Sequence, residues 1–130
     1  MLSYHVRSIV LALSGGLLCM ATAATAAPAE MTAAAAKHFF NAKGCNACHE
    51  LNEHRIGPSY QVIALRYAAA YAADPALQVE KLAMKIRLGG AGAWGAVPMI
   101  SNPGLSEQEA TDIASWILHQ AKAATPPAAK

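Results

Sequence analysis

Two cysteines three residues apart, Cys45 and Cys48, are followed directly by His49. On a helical turn the positions i, i+3 and i+4 face the same way, so these three side chains can address one flat ligand. Two thiols can form thioether bonds with haem vinyl groups, and an imidazole is an axial ligand for the iron. The spacing therefore indicates covalent attachment of a c-type haem. It also constrains the fold, because apolar helices can then pack on the haem instead of only on each other.

Two other interpretations of the motif explain less of the sequence. A thioredoxin-like Cys-x-x-Cys needs a βαβ context, and the flanking sequence has no runs rich in Val, Ile and Thr. A zinc site satisfies the ligand count but leaves the adjacency of Cys48 and His49 unexplained. Such a site would combine both cysteines with two of four histidines, His38, His49, His54 and His119.

The first residues are typical of a secretory signal peptide. His5 and Arg7 precede an apolar stretch from Ile9 to Met20, and Ala24-Thr25-Ala26 offers small residues for cleavage. Ser14, Gly15 and Gly16 interrupt the stretch, which is shorter than the ~18–20 apolar residues of a membrane span. We expect residues 1–26 to be a cleaved signal peptide, with Cys19 lost, and the mature protein to be periplasmic without a membrane span.

The remaining chain is small and nearly neutral. The whole sequence has 10 Lys and Arg against 8 Asp and Glu, and loss of the leader removes only Arg7 from these. No strong field favours nucleic acid or a membrane surface. We expect one domain over residues 27–124 and a flexible tail over 125–130. Since so small a domain is only marginally stabilised by its own apolar core, a haem at its centre would supply much of the stability.

Local signals predict an all-α protein of four helices. Thr32 can cap a first helix to about Ala42, and Ser59 a second through Tyr71. Asp74-Pro75 starts a third, which should stop at Gly89-Gly90. Ser106 and Glu109 form a capping box for the last. The Gly- and Pro-rich segment between the third and fourth helices predicts a long irregular loop, which in so small a domain is usually functional.

Met99 is the best candidate for the second axial ligand of the iron. It lies in the irregular loop and follows Pro98, which fixes the approach of the chain. The alternatives are weaker: Met84 lies within the third helix, where a Met is more often core filler, and Met31 is near the mature terminus. Bis-histidine ligation through His38, His54 or His119 stays open, since imidazole is also a good iron ligand.

Several segments together resemble the small bacterial class I cytochromes c of the c-551 type. They are Gly44 to His49, Ile56-Gly57-Pro58, Trp94 to Met99 and Ala114 to Leu118. The resemblance covers roughly residues 33–121 and implies the class I cytochrome c fold, in which about four helices wrap one covalently bound haem c and the first and last helices cross.

The resemblance also implies roles for residues around the haem. His49 and Met99 would be the axial ligands, and Pro58 would belong to the segment that orients His49, with Gly57 accepting the ring N–H. Trp94 and Lys85 would serve a haem propionate, and Asn102 would hydrogen-bond near the methionine sulfur. The alternative for Trp94 is a core aromatic, and for Lys85 a solvated charge.

These expectations give a soluble monomeric carrier of single electrons in a respiratory chain, meeting its redox partners transiently and catalysing no reaction itself. Two alternatives remain: a haem protein that binds a small ligand, and a cytochrome subunit of a larger oxidoreductase. The sequence contains no acid/base pair beside Met99, which argues against built-in catalysis.

Overall fold

The computed structural model describes residues 30–122, so the proposed signal peptide (residues 1–26) and the proposed tail (residues 125–130) lie outside the described residues. Four α-helices follow one another: α1 Ala33–Ala42, α2 Tyr60–Ala73, α3 Pro75–Leu88 and α4 Glu107–His119. Short 3-10 turns occupy Cys45–Ala47 and Gln120–Lys122. The described chain contains two isolated β-bridges and no strand, which confirms the predicted all-α class.

Each helix begins at the residue that its sequence predicted. Side-chain oxygens of Thr32, Ser59 and Asp74 accept the backbone N–H three residues further on, at 3.2, 3.2 and 3.0 Å. These bonds satisfy N–H groups that the first turn leaves free. At α4, Ser106 and Glu109 form the reciprocal capping box.

Asp74 is the single residue between α2 and α3. Its backbone N–H donates to the Ala70 carbonyl and closes α2, while its side chain caps α3. Pro75 follows at the first helical position, where its fixed φ suits the turn and its missing N–H costs nothing. The corner is therefore as short as a helix–helix connection can be.

The core lies where all four helices meet. Phe40 of α1, only 4% exposed, stacks on Tyr60 of α2 with ring centroids 4.1 Å apart and meets Trp116 of α4 edge-on at 5.4 Å. Lys43, at the end of α1, pairs with Glu109 of α4 at 2.8 Å. Contacts between α1 and α4 thus tie the two ends of the domain together. The other buried apolar residues are Ala36, Ile63, Ala64, Leu82, Ala83, Ile86, Leu105, Ala110, Ile113, Ala114, Ile117 and Leu118.

The prediction that Met84 fills the core was wrong, because its position on α3 turns it outward and its side chain is 50% exposed. None of the helices within residues 30–122 is both long enough and apolar enough to cross a bilayer.

Candidate haem-binding site

A cavity of about 270 Å³ opens into the core between the helices, the segment that joins α1 to α2 and the loop that joins α3 to α4. Its floor is apolar and aromatic, with Phe40 and Tyr60 beside aliphatic side chains of α3 and α4. All nine residues predicted for the site lie on its wall. They are Cys45, Cys48, His49, Gly57, Pro58, Lys85, Trp94, Met99 and Asn102.

The attachment motif forms a tight turn at one edge of this cavity. Gly44, with a positive φ of 74°, turns the chain away from the direction of α1, and the 3-10 turn begins at Cys45. The Cys45 carbonyl accepts both the Cys48 N–H at 3.1 Å and the His49 N–H at 3.0 Å. These hydrogen bonds form a helical turn, on which side chains at i, i+3 and i+4 lie on the same face. Both cysteines are half-buried and free, and burial raises the pKa of the Cys45 thiol.

The His49 ring is oriented by the backbone of the following loop. Its Nδ1 lies 2.7 Å from the Pro58 carbonyl oxygen, which can only accept, so Nδ1 carries the proton. In the neutral imidazole Nε2 then has no proton, which is the form that binds iron.

The prediction that Gly57 accepts this ring proton was wrong by one residue. The Gly57 carbonyl instead accepts the Arg55 N–H at 3.2 Å, and its own N–H donates to Cys48 at 2.8 Å. Gly57 matters to His49 through its size, because a Cβ at this position would overlap the imidazole ring. Pro58 supplies the acceptor and Gly57 supplies the space.

Met99 comes to the cavity from the irregular loop between α3 and α4. It exchanges two backbone hydrogen bonds with Gly90, 2.9 and 3.1 Å long, which close the loop at its base. Gly89, with φ of 68°, ends α3, and a Cβ there would overlap the Met99 carbonyl. The methionine is therefore held directly against the end of α3.

Asn102 fixes the return of the same loop. Its backbone N–H donates to the Arg87 carbonyl at 2.8 Å, and its side-chain nitrogen donates to the carbonyls of Ile86 at 2.9 Å and Ile100 at 3.2 Å. The bonds to Ile86 and Arg87 satisfy carbonyls that the last turn of α3 leaves free. The resemblance implied that the Asn102 amide bonds near the methionine sulfur, but in the structure it donates to two backbone carbonyls instead.

Trp94 and Lys85 lie on the cavity wall and are half-buried. Lys85 sits close to Gly90, and within residues 30–122 it forms no salt bridge. Trp94 packs edge-on against Tyr67 at 6.4 Å, and the Arg66 guanidinium lies 4.4 Å from the centre of its ring. Both residues therefore reach the cavity, where a propionate could meet them.

The sequence did not single out Tyr60, which lines the cavity, or Arg66, which packs on Trp94 of its wall. Tyr60 stacks between Phe40 and His49, with its ring 5.7 Å from the imidazole. Its hydroxyl is buried without a hydrogen-bond partner among the described residues, and burial raises its pKa. The only signal was an aromatic residue directly after the Pro58-Ser59 helix start. Nothing local signals the contact of Arg66 with a distant loop.

The other candidate ligands lie elsewhere or beside His49. Met31, Met84 and His119 line a larger groove of about 1150 Å³ on α3 and α4. There His119 bonds the Tyr71 hydroxyl at 3.0 Å and the Ser115 carbonyl at 2.8 Å. His54 reaches the cavity, yet its backbone bridges to His49 within the same loop.

The cavity suits a haem better than a bare metal ion. In the described part of the chain, no three His, Cys, Asp or Glu side chains cluster as a metal site requires. Two thiols, an imidazole with a free Nε2 and a thioether instead share a cavity whose floor is apolar and aromatic. That donor set matches the attachment and axial ligation of a c-type haem.

Four helices around such a cavity define a small monohaem protein of the cytochrome c class. Comparison with known proteins agrees, since the family profile described as Cytochrome c matches residues 33–121. The chain belongs to the cytochrome c family, and it is of the class I, c-551/c-552 type.

Named relatives support this membership. The chain is 38% identical to cytochrome c-551 of Azotobacter vinelandii over 82 residues, which are 63% of this chain and 93% of the relative. It is 43% identical to cytochrome c-552 of Hydrogenobacter thermophilus over 76 residues, 58% of this chain and 71% of the relative. The crystal structure of wild-type Nitrosomonas europaea cytochrome c552 superposes with a TM-score of 0.57 at 33% identity, covering 65% of this chain and 98% of that one.

These comparisons confirm the predicted family, fold and cofactor. The protein carries one covalently bound haem c, and its relatives are small electron carriers.

Proposed function

We propose that the protein is a periplasmic carrier of single electrons whose haem iron is ligated by His49 and Met99. The observation that supports this most is the arrangement of the two ligands on one cavity. His49 comes from the motif turn with Nε2 free, and Met99 comes from a separate loop clamped to the end of α3. Cys45 and Cys48 would carry the thioether bonds.

Haem iron supplies a one-electron couple, and the protein residues set its conditions. The Pro58 carbonyl keeps the His49 ring in one tautomer and orientation. A methionine thioether favours ferrous iron and raises the reduction potential. Because both axial positions are filled by side chains, neither is open to a substrate, which is why we propose a carrier rather than an enzyme.

Partner proteins would meet the haem at an apolar rim around the cavity mouth. Ile56, Val97 and Ile100 line the cavity and are nevertheless 66%, 63% and 76% exposed. Ala47, in the motif turn, is exposed beside them in sequence. Exposed apolar residues around a cofactor suit brief, small contacts with a donor and an acceptor. We propose that the protein visits these redox partners as a free monomer in a respiratory chain.

The proposed periplasmic location depends on residues 1–26, which lie outside the described residues. Their apolar stretch and small-residue cleavage site support export. The cysteines that remain, Cys45 and Cys48, are both assigned to the haem, in keeping with attachment in an oxidising compartment.

Replacement of Met99 tests the ligand assignment. In ferric protein, a methionine–iron bond gives a charge-transfer band near the far-red edge of the visible spectrum, and Met99→Ala should abolish it. Met84→Ala is the matched control, because Met84 is half exposed in the other groove, and it should keep the band. A band that survives in Met99→Ala would exclude Met99 as the ligand.

Carbon monoxide separates the carrier from a haem protein that binds small ligands. Reduced carrier with both axial positions filled should bind carbon monoxide slowly or not at all at neutral pH. Rapid binding by the unaltered protein would instead favour a sensor or ligand-binding role, in which Met99 detaches readily.

A further inference from the structure

The loop that delivers Met99 has well-defined anchors at its base. The Gly90–Met99 bridge and the Asn102 side chain join it to the end of α3. Beyond the bridge the loop turns back on itself, with Gly92 donating to the Gly95 carbonyl at 3.1 Å. Gly92 and Gly95 have positive φ values of 92° and 109°, so this tip is a stretch that gains conformational freedom readily.

Trp94 connects this tip to α2. Arg66 and Tyr67, consecutive residues of α2, hold it from two directions: the guanidinium lies over the ring face at 4.4 Å, and the Tyr67 ring meets it edge-on at 6.4 Å. A cation over an indole face is the strongest form of the cation–π contact. The neighbouring tip residues Gly95, Ala96 and Val97 are exposed.

We infer that Arg66 is a positioning residue. Through Trp94 it holds the methionine loop, residues 89–106 between α3 and α4, against α2 and thereby limits how often Met99 leaves the haem. The inference rests on the proposed His49/Met99 ligation. Arg66 does not line the cavity, so it acts through Trp94, which does.

The clamp matters because of where the loop is free to move. Met99 is itself part of the bridge to Gly90, so it can move away from the iron only when that bridge opens, and opening is opposed as long as Trp94 holds the tip to α2. An exogenous ligand can reach the iron only from states in which Met99 has moved away, so its binding rate reports the population of the open loop. Loss of the cation–π contact should therefore raise that population.

The experiment measures how fast imidazole binds to the ferric holoprotein at mildly alkaline pH. The probe is then mostly uncharged, so removal of the Arg66 charge does not itself change the encounter rate. Arg66→Ala should speed binding about two- to five-fold, which corresponds to the ~0.5–1 kcal/mol of an exposed cation–π contact. Arg66→Lys keeps a cation over the ring, so its imidazole binding rate should lie between those of the unaltered protein and Arg66→Ala.

Controls separate the clamp from general effects. Lys81→Ala removes an equal charge from an exposed position on α3 and should leave the rate unchanged. Urea unfolding of each variant gives the global stability against which the rates are compared. Amide hydrogen exchange in Arg66→Ala should increase over residues 91–98 and stay constant in α3.

The outcomes distinguish this inference from the ligand assignment. If the unaltered ferric protein lacks the far-red band, the His49/Met99 proposal fails. If the band is present but Arg66→Ala binds imidazole no faster than Lys81→Ala, or only in proportion to lost global stability, the clamp is overturned.

Discussion

At the scale of single residues, the imidazole of His49 depends on two neighbours in one short loop. The Pro58 carbonyl takes the Nδ1 proton, and Gly57 leaves the space that the ring occupies. Tyr60 stacks on the same ring from the first turn of α2. Three nearly consecutive residues thus set the tautomer, the position and the packing of the proposed ligand.

Gly57→Ala tests the steric part of this arrangement. The added Cβ would overlap His49, so either the ring or the loop must shift, which for overpacking costs about 1–3 kcal/mol. We expect urea unfolding of the holoprotein to show this loss, together with a changed optical spectrum.

Gly104→Ala is the matched control for this substitution. A Cβ at Gly104 meets open space and its φ is not positive, so stability should be unchanged or slightly raised. Equal effects of the two substitutions would show that the His49 contact is unimportant.

At the scale of helices, α4 is joined to α1 through its own N-terminal cap. Glu109 bonds the Lys43 ammonium at 2.8 Å and the Ser106 backbone N–H at 2.9 Å. These contacts, that with Lys43 foremost, lower the pKa of Glu109 from 4.5 to about 2. One partly exposed carboxylate therefore serves both a helix cap and a link between helices.

This shift predicts an acid-side dependence of stability. A carboxyl group whose pKa is lower in the folded state stabilises it fully above the unfolded pKa, and that contribution disappears as the pH falls to the folded value. The melting temperature should therefore drop between about pH 4.5 and 2, and drop less in Glu109→Gln. Glu80→Gln, which removes an exposed carboxylate of α3, should retain the full drop; identical curves for both variants would contradict the assignment.

The helix starts were predictable because each is determined within about four residues. Thr32, Ser59, Asp74-Pro75 and Ser106 with Glu109 are local signals, and all four act as helix caps in the structure. The placement of the glycine-rich loop was less accessible. Its contact with Arg66 joins residues far apart in sequence, so no local pattern indicates it.

The sequence predicted which residues line the cavity better than it predicted their hydrogen bonds. The motif spacing and the resemblance identified residues that all reach one cavity. The choice between the Gly57 and Pro58 carbonyls and the acceptors of Asn102 depend on backbone directions within single turns. Side-chain type alone does not determine such directions.

At the scale of the whole molecule, the cavity lies in the middle of the core. Its apolar and aromatic wall would face water in a chain without haem, which removes hydrophobic stabilisation. The total stability of a domain is only ~5–15 kcal/mol. We therefore expect the helices to depend on the haem to complete their packing.

A chain without its thioether bonds should consequently fail to fold. We expect Cys45→Ala/Cys48→Ala protein, prepared without haem, to be unfolded or molten, with weak near-ultraviolet circular dichroism and no cooperative thermal transition. A native-like spectrum and a sharp melt from that chain would show that the four helices are stable alone.

The one-residue corner at Asp74 has a further consequence for the molecule. Because only one residue connects them, α2 and α3 are held close together. The methionine loop contacts both helices, α3 at its base and α2 through Trp94. A longer, flexible connection would let α2 and α3 move relative to each other. Because both helices hold the loop that carries Met99, we expect such an insertion to increase amide hydrogen exchange in that loop.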